Sequence, residues 1–192
     1  MVTASSKRLS LEAFLALPDR DNHELIDGNA VPKMSPKRFH AGLQKSFIKL
    51  MDDWAIARGH FYPEWAVLLE RDGEPWVPVP DLTYVSFERL SANWLEDEPC
   101  PVPPDLAIEI ISPNQSFGMM AAKAADYIAA GVSQVWVVDS QARTITVFVP
   151  SAVPVTYRGE ALVADQSQGA IARDGLAGLD LVVEAVFGGA GL

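Results

Sequence analysis

The feature that most constrains the fold is an apolar run that contains a carboxylate, within "PDLAIEIISPNQSFGMMAAKAADYIAAGVSQVWVVDS" at residues 104–140. Its first part, "DLAIEII", is apolar at both alternating sets of positions, which is typical of a central strand covered on both faces. Glu109 lies inside that strand. A carboxylate is costly to remove from water unless it is paired, protonated or bound to a metal. The sequence therefore predicts a partner for Glu109.

The N-terminal half contains helix and hairpin signals. "SLEAFLALP" predicts a short helix with Ser10 as its N-cap, and Asp27-Gly28 predicts a hairpin in "HELIDGNAVPKM". "KRFHAGLQKSFIKLMDDWAIARG" predicts a long amphipathic helix with Gly59 as its C-cap. Two strands, "HFYPEWAVLLE" and "VPVPDLTYVS", are expected on either side of the turn "RDGEP", followed by an irregular segment up to the Glu109 strand.

The C-terminal half continues the same alternation of strands and helices. "SFGMMAAKAADYIAAG" predicts a helix that ends at Gly131, and "QVWVVDS" and "TITVFVP" predict two strands joined by a tight turn. "VTYRG" and "ALVAD" are strand-like, and "LDLVVEAVF" predicts a short helix. Trp136 is expected in the core and Asp139 in the turn that follows its strand.

Length and composition limit the class of protein. With 192 residues and 49% hydrophobic content, we expect one domain over residues 1–192, with residues 1–9 flexible. We find no apolar run of signal-peptide length and none near the roughly 20 residues of a membrane span, so we expect a soluble, cytoplasmic protein. The single cysteine, Cys100, excludes a disulfide framework or a cysteine metal cluster within one chain and predicts a free thiol.

The charge distribution gives two opposing indications about whether the protein binds nucleic acid. A formal net charge of −10 disfavours broad binding to phosphates. However, the stretch from Gly28 to Met51 contains basic residues and no acidic ones, namely Lys33, Lys37, Arg38, Lys45 and Lys49. This stretch predicts either a local nucleic-acid-binding surface or a helix face that is merely solvated.

A second carboxylate stands at the start of a neighbouring apolar run. Asp81 follows Pro80 in "VPDLTYV", so Asp81 and Glu109 can face each other across adjacent strands. Two such carboxylates repel each other, and a divalent cation between them relieves the repulsion. Their hard oxygen ligands favour Mg²⁺ or Mn²⁺.

Four further side chains are candidates for the same site, each with a structural alternative. Lys123 lies among alanines on the helix after the Glu109 strand, where it either assists catalysis or is a surface lysine. Glu24, in "HELIDG", is a third acid or a hairpin-edge residue. Tyr127, four residues after Lys123, either orients the lysine or packs in the core. His40 either contacts phosphate or packs.

Taken together, "HELIDG", "SPKRFHAGL", "VPDLTYVS", "LAIEIISPNQS", "KAADYIAAGVSQVWVVD" and "LDLVVEAVF" resemble the Uma-two family within the PD-(D/E)XK nuclease superfamily. The resemblance spans roughly residues 10–188. It implies an α/β (mixed α+β) fold: a restriction-endonuclease-like central mixed sheet flanked by helices, with additional β-hairpins. It also implies a metal-dependent phosphodiesterase site in which Asp81, Glu109, Glu24 and Lys123 are catalytic.

The chain departs from that pattern at two positions. The superfamily lysine normally stands two residues after the strand acid, where this chain has Ile111, and the resemblance implies that Lys123 on the helix takes its place. Family members also tend to carry an aspartate four residues before that lysine, where this chain has Met119.

These observations lead to a functional hypothesis with an alternative. We expect a Mg²⁺- or Mn²⁺-dependent endonuclease acting on nucleic acid, most simply DNA, with Asp81, Glu109 and the backbone carbonyl of Ile110 as metal ligands. Tyr127 would support the site, and Lys37, Arg38, His40 and Lys45 would bind the substrate. A homodimer is expected because cutting both strands needs two sites. The alternative is a catalytically inactive nucleic-acid-binding or protein-interaction module that keeps the nuclease fold.

Overall fold

The computed structural model describes residues 8–33, 35–163 and 176–192. Its helices are α1 (Leu11–Leu15), α2 (Arg38–Ala55), α3 (Phe117–Ala129) and α4 (Val183–Gly189), and a 3-10 turn spans Arg20–Asn22. Its strands are β1 (His23–Ile26), β2 (Asn29–Pro32), β3 (Gly59–Pro63), β4 (Leu69–Arg71), β5 (Glu74–Trp76), β6 (Leu82–Ser86), β7 (Leu106–Ile110), β8 (Gln134–Asp139), β9 (Thr144–Phe148), β10 (Val155–Arg158), β11 (Leu162–Val163) and β12 (Leu181–Val182). None of the helices in these ranges is long and apolar enough to span a bilayer.

Parts of three sequence predictions fall outside the described residues. They are residues 1–7 of the segment expected to be flexible, Met34 at the end of the predicted hairpin, and the last two positions of the predicted strand "ALVAD".

A six-stranded mixed sheet, in the order β10-β9-β8-β7-β6-β3, forms the centre of the described chain. β7 pairs with β8 in parallel, and the other neighbours pair antiparallel. Parallel neighbours require a long crossover connection, which α3 supplies between β7 and β8. The predicted mixed sheet with the Glu109 strand at its centre is confirmed.

The two faces of β7 pack against different helices. Leu106, Ile108 and Ile110 belong to the core that contains the apolar side chains of α2 and α4. Ala107 belongs to the core on the other face, with the apolar side chains of α3. Because side chains alternate along a strand, Glu109 lies on the α3 face of the sheet.

The predicted N-terminal hairpin is confirmed. Asp27 and Gly28 both have positive φ angles, of 51° and 72°, which is the requirement of a two-residue type I′ turn. Leu25 on β1 is fully buried and exchanges two backbone hydrogen bonds with Val77, at 3.1 and 3.0 Å. This pairing holds β1 against the segment that leads into β6.

The irregular connection between β6 and β7 is anchored by a buried carboxylate. Asp105 accepts a hydrogen bond from the backbone N–H of Ser86 at 2.7 Å, and its other oxygen lies 2.9 Å from Nε of Arg89. Cys100, in the same connection, is buried as a free thiol. Burial raises the pKa of this thiol to about 11, so it remains protonated at neutral pH.

The predicted C-cap at Gly59 is wrong. α2 ends at Ala55 with Ile56 as its cap, and Gly59 is the first residue of β3, paired with Ser86. A Cβ atom at this position would clash with the carbonyl oxygen of Val85. The glycine is therefore needed because two strands approach closely, which local helix signals do not reveal.

Three segments are also divided differently from the prediction. The run "HFYPEWAVLLE" is interrupted at Glu64, whose φ is 49°, so β3 ends before it and β4 pairs with β5 in a separate hairpin. Of "VPVPDLTYVS", only Leu82–Ser86 is a strand, although Val77 forms an isolated bridge. At the C-terminus, Leu181 and Val182 pair with β11 before α4 begins. Pairing with distant segments overrides the local pattern in each case.

We predict that Gly59→Ala destabilises the protein by about 1–3 kcal/mol, because the added methyl group meets backbone that cannot move without disturbing the β3–β6 pairing. The matched control is Gly188→Ala in α4, where a Cβ atom meets no other atom within 4 Å. The control should be neutral or stabilising by up to about 1 kcal/mol. Urea denaturation of both variants tests the prediction, and equal stabilities would contradict it.

Candidate active site

The carboxylate of Glu109 is buried against two side chains of α3. Glu109 is only 5% exposed. Its Oε1 accepts a hydrogen bond from the hydroxyl of Tyr127 at 2.7 Å and lies 3.0 Å from Nζ of Lys123. Lys123 and Tyr127 are four residues apart and therefore share one face of the helix. No described residue donates a hydrogen bond to Oε2 of Glu109.

Lys123 also contacts a second carboxylate, that of Glu24 on β1. Nζ of Lys123 lies 3.2 Å from Oε1 of Glu24, and the same oxygen accepts a hydrogen bond from the backbone N–H of Val79 at 2.8 Å. The pairing of β1 with the segment before β6 places Glu24 here. The predicted approach of Lys123 to Glu109 is confirmed, and Glu24 joins them.

Burial and charge perturb the protonation of this cluster. Burial raises the pKa of Glu109 to about 7; Asp81 and Glu24 add to the rise, while Lys123 and the hydrogen bond from Tyr127 oppose it. Burial lowers the pKa of Lys123, but Glu109 and Glu24 outweigh it, so the pKa lies above its ordinary value. Burial and Glu109 hold the pKa of the Tyr127 hydroxyl well above its ordinary value. Near neutral pH the lysine is a cation and the tyrosine a neutral donor.

Tyr127 has two contacts besides its hydrogen bond. Its ring packs against Trp76 at a centroid distance of 4.8 Å, and Nζ of Lys123 lies 5.7 Å from its ring centroid. The packing that the sequence offered as one alternative for Tyr127 is therefore present, while its hydrogen bond goes to Glu109 and not to the lysine.

Asp81 lies opposite Glu109 on the neighbouring strand. Leu82 pairs with Ile108 in the antiparallel β6–β7 ladder, so the positions of Asp81 and Glu109 are the next to face each other. Oδ2 of Asp81 accepts a hydrogen bond from the backbone N–H of Ile110 at 2.6 Å. This bond ties the carboxylate to the end of β7.

His40 on α2 connects Asp81 to the loop after β7. Nε2 of His40 lies 2.9 Å from Oδ1 of Asp81, and Nδ1 lies 3.2 Å from the hydroxyl oxygen of Ser112. Since the carboxylate can only accept, Nε2 carries a proton. Burial lowers the pKa of His40, but the hydrogen bond and charge of Asp81 outweigh it, and the net pKa is raised.

One cleft of about 580 Å³ collects most of the predicted site residues. Its walls include Glu24, His40, Asp81, Glu109, Ile110 and Lys123. Tyr127 lies behind this wall, fully buried. Lys37, Arg38 and Lys45 are exposed on or beside the N-terminal turns of α2 and do not line the cleft. Ile111 packs against the α3-side core.

Sequence reasoning missed two cleft residues that tie the N-terminal hairpin to α3. Arg71, at the end of β4, lies 2.6 Å from Asp27 in the hairpin turn and 3.3 Å from Asp126 on α3. Its guanidinium also lies over the ring of Trp76, at 5.6 Å from the centroid. This link joins the hairpin that carries Glu24 to the helix that carries Lys123. Neither Arg71 nor Asp126 belongs to a local motif that could have indicated the link.

The donor set suits a divalent cation that retains water. Among the described residues, no three His, Cys, Asp or Glu side chains converge closely enough to hold an ion by themselves. Asp81, Glu109 and the carbonyl of Ile110 would supply hard oxygen ligands, and Oε2 of Glu109 has no competing donor. Mg²⁺ commonly binds through one or two carboxylates and keeps several waters. The residues present therefore fit such an ion.

Comparisons with known proteins bear on the family and the fold of the chain. A family model described as "Uma2: Putative restriction endonuclease" matches residues 11–184. Among solved structures, the chain is similar to "a putative nuclease belonging to DUF820" from Anabaena variabilis ATCC 29413, with a TM-score of 0.73 and 22% sequence identity over 95% of this chain and 99% of the other. This likeness confirms the predicted fold. No curated protein matches the chain.

We predict that, at a pH well above the Glu109 pKa of about 7, Lys123→Met destabilises the protein by about 3–5 kcal/mol, because it leaves the carboxylates of Glu109 and Glu24 without their ammonium partner. The double variant Lys123→Met/Glu109→Gln should recover part of this loss, since the amide of Gln carries no charge and still accepts from Tyr127. Lys49→Met, on the exposed part of α2, is the control and should change stability by less than about 0.5 kcal/mol. Denaturant unfolding measures all three, and a double variant no more stable than Lys123→Met would contradict the prediction.

Proposed function

The chain belongs to the Uma2 family, and on that premise we propose that it is a metal-dependent endonuclease that hydrolyses phosphodiester bonds in DNA. Family membership and the shared fold support a nuclease role. The observation that carries the finer proposal is the buried contact of Lys123 with Glu109, beside Asp81 on the adjacent strand. The proposal includes a homodimer and a cytoplasmic location.

Asp81, Glu109 and the carbonyl of Ile110 would hold Mg²⁺ or Mn²⁺ at the cleft end of β7. Such an ion polarises a phosphate oxygen and lowers the pKa of a water bound to it. Two donors fix the carboxylates for this task. Ile110 N–H orients Asp81, and the Tyr127 hydroxyl orients Glu109 through Oε1.

Lys123 acts as a fixed cation in this site. A protonated lysine has three N–H donors, and Glu109 and Glu24 occupy two of them. The third donor is available to a phosphate oxygen or to the attacking water. Because both carboxylates raise the pKa of Lys123, the side chain keeps its proton and stabilises negative charge that develops on the phosphate.

Glu24 positions Lys123, and the N-terminal part of α2 is suited to the substrate. The backbone N–H of Val79 and the ammonium of Lys123 share Oε1 of Glu24, so the hairpin sets the direction of the lysine. His40 on α2 lines the cleft, and the exposed Arg38 on α2 and Lys37 at its N-cap precede it by one turn or less. The first turn of α2 contains no acidic residue, and helix N-termini favour phosphate.

The competing function is a catalytically inactive nucleic-acid-binding or protein-interaction module that keeps the fold. One position favours it. Met119, where the family resemblance implies aspartate, lines the cleft with an exposed side chain. Cleavage by the wild-type protein separates the two functions.

We expect Glu109→Ala to lose both Mn²⁺ binding and DNA cleavage, whereas Lys123→Ala loses cleavage and keeps Mn²⁺ binding, because a protonated lysine is not a cation ligand. Calorimetry measures Mn²⁺ affinity, and plasmid and single-stranded DNA report cleavage. Both assays are run at a temperature where circular dichroism shows each variant folded.

The controls are Glu70→Ala and Lys49→Ala, two exposed residues outside the cleft, which should behave as wild type. Cleavage by Lys123→Ala at the wild-type rate would contradict the role of the lysine. A wild-type protein that binds no Mn²⁺ and cuts no DNA would favour the inactive module.

We also expect the triple variant Lys37→Ala/Arg38→Ala/Lys45→Ala to bind DNA more weakly. Its DNA affinity should also depend less on salt concentration. Each lost phosphate contact reduces the slope of log affinity against log salt by about 0.9, so the triple change should reduce it by roughly 2–3. The matched control replaces Arg58, Arg143 and Arg158 with alanine; these three residues lie outside the basic stretch from Gly28 to Met51. An unchanged slope in the first variant would show that the segment is only solvated.

A further inference from the structure

A second cavity, of about 610 Å³, lies beside the catalytic cleft and has its own chemistry. The two spaces share the side chains of Lys33, Glu64 and Val79 as a common wall. The cavity extends away from that wall along β3 and the irregular connection after β6. A volume of this size is typical of sites for small ligands.

Aromatic rings form one side of this second cavity. Tyr62 and Trp65 lie edge to face with centroids 5.5 Å apart, and Trp65 lies 5.7 Å from Trp94. His60 lies 6.2 Å from Trp65 and 6.4 Å from Trp94. None of these four rings is fully buried, and Tyr62 is 53% exposed. Together these partly exposed rings give the cavity a contiguous aromatic wall.

Hydrogen bonds fix two of these rings before any ligand is present. Nε1 of Trp65 donates to the carbonyl of Glu98 at 3.0 Å, and Nε2 of His60 lies 3.0 Å from the carbonyl of Ser91. Both acceptors belong to the connection after β6. A site whose side chains are already ordered loses less entropy when it binds a ligand.

The charge of the cavity wall is strongly negative. One arginine and one lysine line it, besides His23 and His60, and both are paired: Arg20 with Asp21 and Glu98, and Lys33 with Glu64. Five carboxylates line it, three more than the arginine and lysine together; they are Asp21, Glu64, Glu96, Asp97 and Glu98. Neither Glu96 nor Asp97 forms an ion pair with any residue in the described ranges.

We infer that this second cavity binds an organic cation, a guanidinium or ammonium group carried on an apolar stem. The faces of Tyr and Trp rings are negative and attract such cations, while the apolar stem packs on the same rings. The carboxylates of Glu96 and Asp97 supply unpaired countercharge. The same charge repels phosphate, so the cavity is distinct in ligand chemistry from the catalytic cleft. The inference does not depend on the nuclease proposal.

The cation can come from two sources: a basic side chain in a segment of a partner protein, or a free polyamine. N-acetyl-arginine amide represents the first source and spermidine the second. N-acetyl-citrulline amide is the neutral counterpart of the arginine probe, with the same stem and nearly the same shape. Adenosine tests whether the rings instead stack on a base. Calorimetric titration of the wild-type protein with each probe gives the affinities.

We expect the arginine probe or spermidine to bind one site, and the citrulline probe to bind at least about fivefold more weakly, as a cation–π contribution near 1 kcal/mol requires. Trp65→Leu and the double variant Glu96→Gln/Asp97→Asn should each weaken cation binding by a similar factor. The double variant changes only exposed side chains, so it reports on the cavity even where Trp65→Leu fails to fold. The cationic probe that binds with the higher affinity identifies the source of the natural cation.

The matched control is Asp52→Asn/Asp53→Asn, which removes the same two charges from the exposed part of α2, outside the cavity. It should bind the cations as wild type does. Equal weakening in the control would show that the cation responds only to the net charge of the protein and would overturn the inference. Equal binding of the citrulline probe, or binding of adenosine without the cations, would overturn it as well.

Discussion

The contact between Lys123 and the carboxylates of Glu109 and Glu24 is the interaction on which the rest of the structure depends. Glu109 lies in the central strand of the sheet, where a charge without a partner is costly. Its stabilisation requires α3 to be rotated about its axis, and placed along the strand, so that Lys123 and Tyr127 both face Glu109. It also requires the N-terminal hairpin to bring Glu24 to the same ammonium. One electrostatic requirement therefore sets the relative positions of three separate elements.

The same arrangement explains why the cleft is where it is. Asp81 stands at the entrance to β6 and Glu109 near the exit of β7, and the antiparallel pairing of these strands brings both to one end of the sheet. His40 holds Asp81 from the α2 side, and Arg71 holds the hairpin to α3. The first link joins α2 to the start of β6, and the second joins the N-terminal hairpin to α3, so both connect elements that line the cleft.

Sequence reasoning succeeded where a local pattern carries the information. The apolar run around Glu109, the Asp27-Gly28 turn and the helix after Ser116 each contain their own signal, and each is confirmed, although α3 ends at Ala129 and Gly131 follows its cap with a positive φ. It failed at Gly59, which looks like a helix cap but is required by the close approach of β6. It also missed Arg71, whose partners Asp27 and Asp126 lie far from it along the chain. Contacts between distant segments produce no hydrophobic periodicity or local motif, so a single sequence does not predict them.

The ammonium of Lys123 and the carboxylate of Glu24 are separated by 99 positions along the chain, and this has a consequence for synthesis on the ribosome. A chain growing from its N-terminus carries Glu24, Asp81 and Glu109 before it carries the lysine that neutralises them. β7 also lacks its parallel neighbour β8 until α3 has been made. The centre of the sheet therefore cannot close around Glu109 while the chain is short, and a nascent polypeptide has no assembled cleft until both β8 and α3 have emerged.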